Sequence, residues 1–183
     1  MTVKEVVVFA ADLLGIGDGV RSSINDGAVE SEDDVTMLTR AVNLVENELA
    51  IEYFPLYCEE TMEVELNRLY YRDLSRSAVR ILSVRSGSGD KIPYKIFSDY
   101  MSVDSGSVTV KYAYMPAIKT VEDELDIGLG VTMQALAFGA AAEYCFMNGL
   151  YGEAEGWNKK YRAEITASYR ARPAKSIKER RWV

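Results

Sequence analysis

Histidine is absent from all 183 residues of this chain. Imidazole is the usual general base near neutral pH, one half of Ser–His and Cys–His nucleophile pairs, and the commonest zinc ligand. Its absence removes those chemistries and leaves acid–base work to carboxylates and lysine. Cysteine is nearly absent too. Cys58 and Cys145 are too few for a disulfide framework and lie in no metal-ligand spacing, so they read as reduced, mostly buried thiols in a cytoplasmic setting. Long apolar runs are also lacking. Val6-Val7-Val8-Phe9-Ala10-Ala11 is flanked by Glu5 and Asp12, with no small-residue cleavage pattern after it, so a core-facing helix is expected in place of a signal peptide. Residues 127–147 include Gln134 and Glu143 among many glycines and alanines, too polar for comfortable insertion, and no membrane contact is expected. Repeats and low-complexity segments do not occur.

What the chain does have is a divided charge. Residues 159–183 carry nine basic side chains and two acidic ones, a net of +7; the whole chain is −7, so residues 1–158 carry −14. An acidic body and a basic tail in one molecule attract between copies, and unlike surfaces meeting head to tail generate rings or filaments. Apolar residues make up 48% of the composition, and the length suffices for one domain with a real core.

Periodicity divides the chain into helical ends and a β-rich middle. Thr2 and Glu5 form a capping box for a helix over about residues 3–14. Gly15-Ile16-Gly17-Asp18-Gly19 then reads as a helix stop and mobile turn; a phosphate-cradling loop would follow a strand and open a helix, the reverse of the order here. Residues 20–30 read as loop. Ser31-Glu32-Asp33-Asp34 caps a helix over about 32–53, with Val35, Leu38, Val42, Val45 and Leu49 on one face and Arg40, Asn43, Glu46 and Asn47 on the other. Glu46, Glu48 and Glu52 read as a solvated acidic face rather than a metal site.

Alternation then takes over. A β-lobe spans about 61–115: Met62, Val64 and Leu66, a strand over 79–85, a hairpin at Ser86-Gly87-Ser88-Gly89-Asp90, a return over 92–97 with Pro93 at an edge or bulge, a turn at Asp104-Ser105-Gly106, and the clean alternation of 107–114. An antiparallel β-meander is expected. Its tyrosines (Tyr70, Tyr71, Tyr94, Tyr100, Tyr112, Tyr114) could stack on single-stranded nucleic acid, but with little positive charge nearby they read better as half-buried strand residues or an interface. Thr120-Val121-Glu122-Asp123 caps the return to helix, over about 127–148. Its small residues, including Gly128, Gly130 and Gly139, suit a tight core or a subunit contact. A last helix, about 151–170, carries Trp157, Tyr161, Ile165 and Tyr169 as one stripe, and Pro173 opens an extended basic tail over 171–183. The expected class is α+β: one domain over 1–170 in which helices from both ends pack together and the sheet forms a lobe.

This layout resembles the head–tail connector proteins of tailed bacteriophages, the head-completion or adaptor proteins that bind beneath the portal. The phrases that carry the resemblance are Leu38-Thr39-Arg40-Ala41-Val42-Asn43-Leu44-Val45-Glu46-Asn47-Glu48-Leu49-Ala50 in the long helix and Val79-Arg80-Ile81-Leu82-Ser83-Val84 and Val108-Thr109-Val110-Lys111-Tyr112-Ala113-Tyr114-Met115-Pro116 in the lobe. Ala140-Ala141-Ala142-Glu143-Tyr144 and Trp157-Asn158-Lys159-Lys160-Tyr161 follow, and the basic ending is similar to that of prophage-encoded members. The resemblance implies a ring of about twelve copies on the portal, a channel traversed by double-stranded DNA, and a tail or head-closure protein below. It brings no catalytic residue, cofactor or metal, and implies a place in the virion neck, reached from the host cytoplasm during assembly.

The interface residues expected on these grounds are Arg172, Lys175, Lys178, Arg180, Arg181, Trp182 and Val183, contacting the portal or a neighbouring subunit. Trp182 would be the anchor and Arg180 and Arg181 would supply charge-assisted bonds. A disordered solubilising tail is the plainer alternative. Other readings are a nucleic-acid-binding protein using the basic segment, a tail-completion component, and an enzyme using Asp123, Glu124 or Asp126.

Overall fold

The chain enters its first helix, α1 (Val3–Leu14), through the capping box expected from its sequence. Thr2 Oγ1 accepts from the Glu5 amide at 3.2 Å, and Glu5 Oε2 accepts from the Thr2 amide at 2.8 Å. The computed structural model describes residues 1–26, 31–127 and 130–170. Val3, Val6, Val7, Ala10 and Ala11 bury one face of α1, and Gly15 closes the helix at φ 77°, a left-handed conformation that glycine adopts without steric cost.

The glycine-containing stretch that follows is helix and not a mobile turn: α2 runs Gly17–Asp26. Two tertiary interactions outweigh the poor helix propensity of glycine. Val20 is fully buried in the helical core with Ile24 packed beside it, and Arg21 pairs with Asp12 of α1. Gly17 is needed for that pairing, since a Cβ there would lie 2.0 Å from Asp12 Oδ1. The expected loop therefore holds nothing of 20–26, and residues 27–30 lie outside the described residues.

Helix α3 (Glu32–Glu48) starts on three acids that suit its positive end, while Ser31 makes no side-chain cap bond. One π-helical turn, Leu49–Tyr53, carries it on, and Phe54 ends it before Pro55. Helix α4 (Met133–Met147) begins several residues later than the expected 127, with Thr132 Oγ1 accepting from the Ala135 amide at 3.0 Å. The segment before it is spent otherwise. Thr120 donates from its amide and hydroxyl to Asp123 Oδ2 at 2.6 and 2.7 Å, a closed turn where a helix cap was expected. The Val3 amide donates to the Asp123 carbonyl and the Leu125 amide to the Met1 carbonyl, so 123–125 pair with the start of the chain instead of with a helix. Gly149, at φ 75°, separates α4 from α5 (Tyr151–Arg170). Trp157, Tyr161 and Ile165 face the helical core as their spacing predicts.

The described residues form an α+β fold, with five helices and two small antiparallel sheets. The strands are β1 (Leu56–Val64), β2 (Arg68–Tyr70), β3 (Ser77–Ser86), β4 (Lys95–Ile96), β5 (Tyr100–Ser102) and β6 (Gly106–Met115). Their order is not that of a chain of hairpins. One sheet runs β1–β6–β3 and the other β2–β5–β4, so β1 waits for β6, far along the sequence, before it is paired. Val108, Val110 and Tyr112 of β6 are buried on one face and explain its central place. In β3 the register against β6 slips twice, leaving Val79 and Leu82 without partners and solvent-exposed.

These elements build two cores. One lies among α1, α2, α3, α4 and α5; the other lies between the two sheets, around Leu69, Val84, Met101 and Tyr112.

Candidate functional site

The seven expected interface residues, Arg172 to Val183 in the segment 171–183, lie outside the described residues. What the structure describes is the surface that such a basic, aromatic segment could meet.

The three glutamates expected to form one solvated face are split apart. Glu46 is 2% exposed and Asn43 8%, so one flank of α3 is buried against the segment leading to α4, while Arg40 stays exposed. Asn43 donates to the carbonyls of Thr39 (2.8 Å) and Lys119 (2.9 Å) and accepts from the Lys119 amide (2.6 Å). Glu46 Oε1 accepts from the Asp126 amide at 2.6 Å, and its other oxygen has no partner. Burial pushes the Glu46 pKa up to about 7, against the opposing pull of that amide and of Lys119. Asp126 Oδ2 in turn accepts from Lys119 Nζ (3.1 Å) and Arg76 Nη1 (3.2 Å), and the Arg76 guanidinium lies 5.4 Å from the centre of the Tyr114 ring. Tyr112 donates its hydroxyl to Glu60, and burial, then Glu60, raises its pKa. A polar seam thus joins the helical layer to the sheets. Of the three carboxylates considered for catalysis, Asp123 holds Thr120 and Asp126 binds Lys119 and Arg76, while Glu124 pairs with Thr2 through its backbone.

A different arrangement holds for Glu48. It lines a cleft of about 390 Å³ between α3, α4 and α5. Gly139 shapes the floor: an added Cβ would lie 2.8 Å from Val45 Cγ1 and 3.2 Å from Tyr161 Cδ2, so α4 can approach its neighbours this closely only without a side chain there. Glu48 and Glu143 stand in the wall, and neither makes an ion pair among the described residues. Burial raises the Glu48 pKa against the opposing pull of the Tyr161 hydroxyl and Arg162, with Glu52 and Glu143 adding to the rise. Tyr161 is 4% exposed; burial, and then the charge and acceptor oxygens of the adjacent Glu48, push its pKa up. Glu155, at the rim, is tied to Lys159 at 2.8 Å.

The mouth of the cleft is aromatic. Phe146 and Tyr151 meet edge to face with ring centres 5.6 Å apart, yet are 60% and 65% exposed. Half-buried acids and two exposed rings together form a surface chemically suited to a cation that carries apolar surface, with Arg162 in the same lining. Sequence reasoning missed it because Glu48 and Glu143 are distant in the chain and meet only through the α3–α4 packing. The one signal was the run of small residues around Gly139.

The sheet tyrosines are largely occupied. Arg68 covers Tyr100 and Arg72 covers Tyr70, each 5.0 Å from the ring centre, and Phe97 stacks on Tyr100 at 4.8 Å. Among the described residues no group of three His, Cys, Asp or Glu could hold a metal ion, and no helix is long and apolar enough to cross a membrane. Compared with protein-family models and with curated proteins, the chain matches none.

Proposed function

We propose that this chain is a structural virion protein, a head–tail connector that forms a ring under the portal and links the DNA-filled head to the tail. The observation that carries the reading is the pairing, within one sequence, of an acidic cleft with unpaired carboxylates and a strongly basic segment. Complementary surfaces at different places on one chain favour head-to-tail association, which gives a ring where the rotation between copies closes. The acidic body also suits a conduit, since negative walls repel phosphates and let double-stranded DNA slide without sticking.

The test is mass measurement and electron microscopy of the purified protein with and without its portal. Rings on the portal are expected. In phage, deletion of residues 172–183 should yield heads that leak DNA or lack tails; particles that assemble and hold DNA normally would remove the anchoring role. The nucleic-acid-binding alternative rests on the basic segment alone. It predicts a gel shift at low salt that fades steeply as salt rises, whereas the −14 of residues 1–158 opposes tight binding.

A further inference from the structure

We infer that the cleft between α3, α4 and α5 receives residues 171–183 of a second copy of this chain, with Trp182 against the Phe146–Tyr151 rim and basic side chains on Glu48 and Glu143. The inference rests on the connector reading for its direction, from one copy to the next, and gives that reading a defined contact.

Charge carries the argument. Residues 171–183 hold Arg172, Lys175, Lys178, Arg180 and Arg181 against the single acid Glu179, a net of +4. The cleft offers Glu48 and Glu143, half-buried and without ion pairs among the described residues, with Arg162 in the same lining offsetting only part of their charge. Withdrawing a carboxylate from water without a partner is costly, and an arriving guanidinium or ammonium relieves that cost.

Shape agrees with charge. At about 390 Å³ the open cleft falls in the size range of small-ligand sites, room enough for an indole. Phe146 and Tyr151 expose faces and edges to which an indole can pack. Trp157, the other tryptophan, is already engaged within the helical layer, stacked on Phe138 at 5.8 Å with Lys160 4.0 Å from its ring centre. Length alone does not choose between copies. Twelve extended residues span at most about 40 Å, and α5 is about 30 Å long, so a segment leaving Arg170 could reach its own cleft as well as a neighbour's.

The experiment therefore distinguishes the two directly. Equal amounts of full-length protein, one ¹⁵N-labelled and one not, are mixed at high concentration. A carbodiimide then joins amines to carboxylates that touch, and the linked peptides are read by mass spectrometry. Lys175 or Lys178 joined to Glu48 or Glu143 in mixed-isotope peptides is the expected result. Trp182→Ala and Glu143→Gln should each lower that yield by at least about fivefold, and raised salt should lower it further. Links confined to a single chain would overturn both the inference and the head-to-tail reading. Interchain links to other carboxylates would overturn the cleft while leaving head-to-tail association standing, and no links from residues 171–183 at all would remove both.

Discussion

At the scale of single residues, Glu46 departs most from what its place in the sequence suggests. On a helical wheel it falls about 60° from the centre of the apolar stripe and about 120° from Arg40, on a flank of α3 that 119–126 folds over, so it is almost fully buried. Periodicity shows which stripe is apolar but not what later covers its flank. The consequence is a pH dependence with a definite sign. Burial raises the Glu46 pKa from 4.5 to about 7, so between those values the folded protein binds more protons than the unfolded chain. Stability from this group is full below about pH 4.5 and is lost as pH rises through about 7, by about 3 kcal/mol. Glu48 acts in the same direction. Urea unfolding at about pH 5 and pH 8 should show the loss, and Glu46→Gln should flatten it. A Gln variant that keeps the whole slope would locate its origin elsewhere.

At the scale of elements, the ends of α1, α3 and α5 were legible because their signals are local: the Thr2–Glu5 box, Pro55, and the four-residue stripe through Tyr161. Helix α2 was not, since glycine-rich sequence there is overruled by Val20 and the Arg21–Asp12 pair, both tertiary. The pairing of β1 with β6 was equally hidden, because hairpin rules describe neighbours only. Helix α4 tests the packing account. Gly139→Ala gains helix propensity but drives a methyl against both Val45 methyl groups, which a short β-branched side chain cannot withdraw. A net loss of about 1–3 kcal/mol is expected. Gly156→Ala, in α5 with open space around it, should stabilise by about 0.5–1 kcal/mol. Thermal melts of the two variants should shift in opposite directions; a stabilised Gly139→Ala would mean the α3–α4 contact is looser than described.

At the scale of the whole molecule, two apolar cores meet through a seam made mostly of hydrogen bonds and ion pairs. Polar contacts can part and be rehydrated more cheaply than apolar ones, so the seam should open before either core does. In hydrogen exchange the Lys119 amide, held by Asn43, should lose at least about tenfold of its protection in Asn43→Ala, while amides of α4 and β6 keep theirs. Equal loss everywhere would mean that the layers unfold as one unit. The two slips in β3 bear on how the chain behaves when crowded. A free strand edge is a template on which other copies can zip into fibrils. Here the unpaired Val79 and Leu82 twist that edge, and Arg80 and Arg85 set charge along it. The β3 edge is therefore a poor template for a second copy. A chain lacking both bulge residues should give thioflavin-positive aggregates where the parent solution stays clear.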